Sequence, residues 1–279
     1  MGLRVAAALG PRLRLLALTS SPARAPALRA RGIVPLAGNL DHAATLRRLA
    51  GLATHVLHLA PPPGGAAARD PRTAALLRAL ALRTPPGRLV YGSTSGVYGD
   101  RQGRPTDETA VPQPRSARAL RRLDAERRVR AYGRASGAAA AILRIPGIYA
   151  LDRPEGTPER RLRQGTPVLA AADDVYTNHI QADDLAGACL AALWRARPQR
   201  IYNASDDTQL KMGDYFDLAA DLLGLPRPPR IARALAGDVL AATQLSFMDE
   251  SRQLQNRRLK QELRLRLRYP TVVQGLQQN

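Results

Sequence analysis

Short apolar runs recur through the first half of the chain, and each is separated from the next by polar turns and helical stretches. The runs are Arg14–Leu18, Ile33–Ala37, His55–Leu59, Leu89–Gly92 and Ala140–Ile145. The helical stretches lie at Gly2–Leu9, Ala43–Leu49, Pro71–Leu82 and Ser116–Ser136. Antiparallel strands can be joined by a tight turn, whereas parallel strands need a long crossover, usually a helix. The alternation therefore predicts an α/β fold, doubly wound around a parallel sheet. The last of these helices is Arg-studded, with Leu120, Leu123 and Val129 spaced for one buried stripe.

Beyond Ala150 the pattern loosens. Residues 151–172 are punctuated by Pro and Gly and read as loop. Asp184–Trp194 reads as a helix, Ile201–Asn203 as a short strand, and Met212–Leu223 as a helix stopped by Gly224 and Pro226. Gln253–Leu263 reads as a further helix. The expected division is a main α/β domain over 1–150 and a smaller C-terminal α/β lobe over 151–279, with 178–203 returning to the sheet.

The chain carries 42 Lys and Arg against 23 Asp and Glu, a net charge of +19. Such a charge invites a polyanion. Yet only Lys211 and Lys260 are lysines, and the remaining basic residues are arginine, a bias that fits GC-rich coding rather than a binding face. No basic block interleaved with aromatics and no zinc-ligand spacing occurs, so no nucleic-acid partner is expected. No run of 18 apolar residues exists, so no membrane span is expected either. The Arg-rich opening mimics a targeting peptide, but Pro11, Arg12 and Arg14 break its apolar run. The single cysteine, Cys189, sits in the apolar pattern A-G-A-C-L-A-A-L and reads as a buried, inert thiol in a reducing, cytoplasmic setting. His55 and His58 are three apart on a strand, hence on opposite faces, and His179 beside Asp183 and Asp184 reads as part of a helix cap. No metal site is expected.

The densest pattern lies between Arg88 and Ala150. It reads R-L-V-Y-G-S-T-S-G-V-Y-G-D, then D-E-T-A-V-P-Q-P, then R-A-L-R-R-L-D-A-E, then A-I-L-R-I-P-G-I-Y. N-H-I-Q-A-D-D-L-A follows from Asn178, and E-S-R-Q-L-Q-N-R-R-L-K from Glu250. In this order the segments resemble the extended short-chain dehydrogenase/reductase superfamily, in its NAD-dependent epimerase/dehydratase branch, from Gly2 to Leu276. The resemblance implies a Rossmann-like domain for NAD or NADP, a C-terminal lobe for a small-molecule substrate, and room for a homodimer.

It also implies roles for residues. Gly2 matches the last glycine of the turn that holds the cofactor pyrophosphate at a helix N-terminus. The opening predicts that a first strand and the earlier glycines precede Met1, a valine codon having been read as the start. Thr19, Ser20 and Arg24 stand where NAD binders carry Asp or Glu, and hydroxyls with an arginine suit the 2′-phosphate of NADP. Asn39 and Leu40 fall beside the adenine, Leu59, Ala60 and Pro61 along the cofactor, and Pro146, Gly147 and Ile148 against the nicotinamide. Thr94, then Ser95, matches the hydroxyl that bonds the reacting oxygen. Tyr98, Tyr149, Asn178 and Arg252 fall to the substrate, with Asn256 and Arg257 beside them for an anionic group.

One departure matters. The family's Tyr-x-x-x-Lys is here Arg118-Ala-Leu-Arg-Arg122. A tyrosine whose pKa a lysine lowers supplies a proton, whereas a guanidinium stays protonated. Arg122 in the lysine's place implies a ribose clamp, and Arg118 an oxyanion or acidic-substrate contact. Glu126, one turn on, reads as structural. Two functions follow: an oxidoreductase acting on an anionic or sugar-like carbonyl or alcohol, or a catalytically silent dinucleotide-binding or sensor protein. A phenol from Tyr98 or Tyr149 facing the site beside Thr94 separates the first from the second.

Overall fold

The computed structural model describes residues 1–10, 13–153 and 156–277. Pro11 and Arg12, and Pro154 and Glu155 in the expected loop, lie outside them. In chain order the first half runs α1 (Gly2–Leu9), β1 (Leu15–Thr19), α2 (Ala25–Arg29), β2 (Ile33–Ala37), β3 (His55–His58), α3 (Pro71–Leu80), β4 (Arg88–Thr94), β5 (Pro105–Thr106), α4 (Ala117–Ser136), β6 (Ala139–Ile145) and β7 (Gly147–Tyr149). The second half runs α5 (Glu159–Arg163), β8 (Val168–Leu169), β9 (Tyr176–Thr177), β10 (His179–Gln181), α6 (Ala182–Arg195), β11 (Arg200–Asn203), β12 (Leu210–Lys211), α7 (Met212–Leu223), β13 (Arg230–Ile231), α8 (Arg233–Val239), α9 (Ala242–Met248), β14 (Gln253–Leu254), α10 (Arg257–Gln261) and α11 (Val272–Leu276).

The parallel sheet is present and doubly covered. Its main ladder has the order β11-β6-β4-β3, all parallel. Alternation along β4 and β6 assigns the two faces. Leu89, Tyr91, Ala140 and Ile142 pack with Ala125 and Val129 of α4 and Leu77 of α3. Val90, Ala141 and Leu143 pack with Val5 of α1 and with Leu185, Ala188 and Cys189 of α6. Burial raises the Cys189 thiol pKa to about 12. His55 and His58 part to the two faces as the strand period requires: His55 stacks on Trp194 of α6, while His58 bonds Thr73 of α3. β1 and β2 form a separate parallel pair, and among the described residues no strand joins that pair to β3.

A second core gathers Leu162, Val168, Leu169, Tyr215, Phe216 and Leu276 around α7. Here the sequence expectation needs correction twice. Residues 151–172 are not all loop, since α5 and β8 form there and β8 pairs with β13. Gln253–Leu263 is not one helix. Gln253 and Leu254 extend along β5, the Leu254 N–H donates to Asn178 Oδ1 at 2.8 Å, and helix resumes only at Arg257. Among the described residues no helix is long and apolar enough to cross a membrane.

Candidate active site

Parallel strands end on one side, so β1, β2, β3, β4 and β6 deliver their following turns to a common edge. At the end of β1, Thr19 Oγ1 accepts the Ser21 N–H at 3.2 Å, while Ser20 and Arg24 are exposed. After β2, Asn39 Oδ1 accepts the Asp41 N–H at 2.9 Å, and Leu40 packs against the cluster of Leu46, Ala75 and Ala79. Arg72 of α3 then joins two of these turns. It grips both oxygens of Asp41 at 2.6 Å and donates to the Pro61 carbonyl at 3.1 Å. The same pair holds the Asp41 carboxyl below its usual range. Beneath Leu59 and Ala60, buried His58 sits 2.9 Å from Thr73 Oγ1, which donates to Asp70 Oδ2 at 2.6 Å. Asp70 caps α3 through the N–H groups of Arg72 and Thr73. Burial lowers His58 to about 4, so it is neutral and structural.

At the end of β4, Thr94 is half-buried and its Oγ1 accepts the Gly96 N–H at 3.2 Å, while Ser95 is buried. A buried polar layer lies under this turn. Ser93 donates to Glu126 at 2.6 Å, and Glu126 holds Arg144 through bonds of 3.1 and 2.8 Å. The Arg144 guanidinium lies 4.5 Å from the Tyr98 ring centre, and the Tyr98 hydroxyl donates to Asn203 Oδ1 at 2.7 Å. Glu126 is thus structural, as expected. Tyr98 is no pocket wall: it is fully enclosed and committed to Asn203, and burial pushes its pKa up to about 12.

The two arginines that replace the family pair part company. Arg122 points to the strand, donating to the Gly92 carbonyl at 2.6 Å and to the Tyr91 hydroxyl at 3.2 Å. Its other N–H groups make no bond among the described residues. Arg118 is exposed and lies 4.7 Å from the ring centre of Phe247 on α9.

The remaining expected substrate contacts are occupied inside the protein. Tyr149 is buried against α11, its hydroxyl facing the Thr271 carbonyl at 3.4 Å. Asn178 latches β14 by donating to the Arg252 carbonyl and accepting from Leu254. Arg252 donates to the Gly99 carbonyl at 2.8 Å and pairs with Glu250. Asn256 serves Ser205, Asp206 and Asp207. Arg257 borders a small surface hollow with Asp107 and Thr109. Gln181, not Asp183, caps α6, and Asp183 instead pairs with Arg4 of α1. Next to this region Pro146 is half-buried, Gly147 exposed, and Ile148 rests on the first core.

A cleft of about 750 Å³ opens nearby, and the sequence reading missed it. Its walls come from both halves: Asp100, Arg115 and Ser116 on one side, Tyr176, Lys211 and Glu250 on the other. None of the site residues expected from the sequence lines it. The available signal was Lys211, one of two lysines in an arginine chain.

Comparison with known proteins completes the description. The model of the NAD dependent epimerase/dehydratase family matches residues 5–205. The chain belongs to that family. Among solved structures it is similar to a functionally unknown conserved protein from Silicibacter pomeroyi, at 29% identity over 98% of this chain and 92% of that one, TM-score 0.79. The UDP-glucose 4-epimerase of Thermotoga maritima, solved with UDP-glucose, superposes at TM-score 0.76, with 19% identity over 98% and 92%. RMD from Pseudomonas aeruginosa, complexed with NADPH, superposes at 0.71, with 19% identity over 95% and 97%. At such identities the last two carry the fold alone. Among curated proteins nothing matches the chain.

Proposed function

We propose that this member of the family binds NAD(P)(H) across the strand edge and transfers a hydride to or from a small carbonyl or alcohol. The observation that carries the reading is Arg122, fixed by the Gly92 carbonyl two strand positions before Thr94, with its outer N–H groups left over. The edge also fits a dinucleotide. The N-terminus of α1 has no side-chain cap, and the space at Gly2 is open. Ser20 and Arg24 stand exposed at the end of β1, which favours the 2′-phosphate of NADP.

When bound, the nicotinamide supplies or accepts the hydride. The protein's part is positioning. Thr94 Oγ1 already accepts from Gly96, so its own O–H is left to donate to the reacting oxygen. Arg122 holds the ribose with planar donors in the lysine's place. Neither residue surrenders a proton near neutral pH, so the proton is exchanged with water. A second reading, a dinucleotide binder without turnover, is favoured by one specific observation: Tyr98 and Tyr149 are both buried, with their hydroxyls turned to Asn203 and the Thr271 carbonyl.

The test is a fluorescence titration with NADPH and NADH, followed by turnover against small aldehydes and ketones. NADPH should bind, and Arg122→Ala should weaken it by about 1.5–3 kcal/mol, the scale of a hydrogen bond to a charged group. Arg24→Ala should cost NADPH a similar amount and leave NADH unchanged. Absence of NADPH and NADH binding sinks both readings, while binding without turnover selects the second.

A further inference from the structure

An arginine that is to hold a ribose must itself be held. Its side chain is long and flexible, and ordering such a chain at the moment of binding costs affinity. Arg122 is held through one nitrogen. Nη1 carries two N–H groups, and it gives one to the Gly92 carbonyl at 2.6 Å and the other to the Tyr91 hydroxyl at 3.2 Å. Both acceptors belong to β4, and Gly92 lies one position past Tyr91, the last residue of β4 that pairs with β3. One acceptor alone would leave the guanidinium free to swing about that bond. A second acceptor removes the freedom, so that Nε and Nη2, which make no bond among the described residues, are presented in one direction.

Tyr91 is built to be a fixed acceptor. It is fully enclosed, in the cluster of Leu89, Ala125, Val129 and Ile142, and the His58 ring lies 5.2 Å from its own. A ring packed in this way has one place for its oxygen. The Arg122 guanidinium carbon is 5.7 Å from the ring centre, near the outer limit of attraction to the ring face, so the hydroxyl carries the contact. That hydroxyl bonds no other side chain among the described residues. Burial pushes the phenol up to about 12 against the pull of Arg122, so it stays un-ionised and accepts through a lone pair.

We infer that Tyr91 is the positioning residue for Arg122, holding the guanidinium in the direction in which it meets the nicotinamide ribose. Tyr91 touches neither substrate nor cofactor and acts only through the arginine. A lysine in this place would offer a compact point charge, whereas an arginine brings a planar fork that needs orienting. The inference rests on the dinucleotide reading for the ribose, but the anchor itself is a property of the free protein.

Tyr91→Phe removes the hydroxyl and keeps the ring, so the packing of β4 should survive, which thermal melting verifies. NADPH is titrated into the full-length wild type, Tyr91→Phe, Arg122→Ala and the double variant. In parallel the same proteins are titrated with 2′,5′-ADP, the half of the cofactor that lacks the nicotinamide ribose. Tyr91→Phe should weaken NADPH about three- to tenfold, the scale of ordering one long side chain on binding, and leave 2′,5′-ADP unchanged. Added to Arg122→Ala, it should cost nothing more. A merely structural role would weaken both ligands alike. Modification of arginines by phenylglyoxal, followed by peptide mass spectrometry without any ligand, reads the anchor alone. Tyr91→Phe should speed modification of Arg122 and not of Arg134, an exposed arginine on the same helix. An unchanged rate at Arg122 overturns the inference. So, in a wild type that binds NADPH, does an undiminished NADPH affinity in Tyr91→Phe, an equal loss of both ligands, or the same loss in the Arg122→Ala background. A wild type that binds neither NADPH nor NADH loses the dinucleotide reading, while faster modification of Arg122 in Tyr91→Phe keeps the anchor.

Discussion

Two buried polar clusters in this molecule are built differently. Under Thr94, Ser93, Glu126, Arg144, Tyr98 and Asn203 form a continuous chain of donors and acceptors. In the second core, the His179 ring lies tilted over Tyr215 at 4.1 Å, near Asp206 and Arg161, and several polar atoms go unanswered. His179 Nδ1, Asp206 Oδ2 and Arg161 Nε and Nη2 are buried without hydrogen-bond partners among the described residues. The first cluster holds its charges by pairing them; in the second, burial suppresses the charges of Asp206 and His179. Burial, with the nearby charges of Asp207 and Asp184, raises Asp206 to about 8 against the bonds from Thr208, and burial alone lowers His179 to about 4. The first arrangement is insensitive to pH near neutrality, and the second is not.

The strongest way to break the contrast is Glu126→Ala. It leaves the Arg144 guanidinium buried and uncompensated, which costs about 3–5 kcal/mol. Urea unfolding should report the loss, and a loss below about 1 kcal/mol would show that water enters the layer and that the pairing is dispensable.

Asp206→Asn sharpens the contrast by pH. The folded pKa of Asp206 lies above its unfolded value, so its contribution is complete at low pH and is lost as pH rises toward 8. The folded pKa of His179 lies below its unfolded value, so its contribution is complete above about 6.5 and is lost as pH falls toward 4. Between those limits the two slopes oppose, and above pH 6.5 only Asp206 acts. The wild type should therefore lose stability from pH 6.5 to 8. The asparagine variant should abolish that decline and steepen the loss that His179 and His58 produce below pH 6.5. Thermal melts across this range decide it, and parallel wild-type and variant curves would refute the assignment.

The smallest expected effect is at Arg118→Gln. An exposed cation over an aromatic ring is worth about 0.5–1 kcal/mol, so stability should fall by no more than that. NADPH affinity should be unchanged, because Arg118 reaches Phe247 and not the strand edge. A weakened cofactor would place Arg118 back in the site.

Much of the first half was legible because its signals are periodic or local. Ile33–Ala37 falls on the expected residues, and Ser116 caps α4 at the start of the expected helix. The second half was legible at α7 and β11 and resisted where its strands are two residues long, too short to show any period. Gln253 and Leu254 carry no strand signal of their own, and it is the Asn178 amide, far away in sequence, that draws them into β14. Site residues were legible by type and not by direction. Tyr98 and Tyr149 stand in recognisable motifs, but which way a ring turns depends on Asn203 and on α11, and no local pattern encodes those partners. Arg115 and Lys211 belong to no motif and line one cleft only because both halves contribute to it.

Arg4, in the first turn of α1, pairs with Asp152 and Asp183, and Val5 behind it enters the core formed with α6. A ribosome delivers Arg4 long before either carboxylate. Until α6 has emerged, α1 has no surface to cover it and its apolar stripe stays in water. A segment translated early is thus among the last to dock, and the interval in which it stands exposed is set by the time needed to translate from α1 through residue 195.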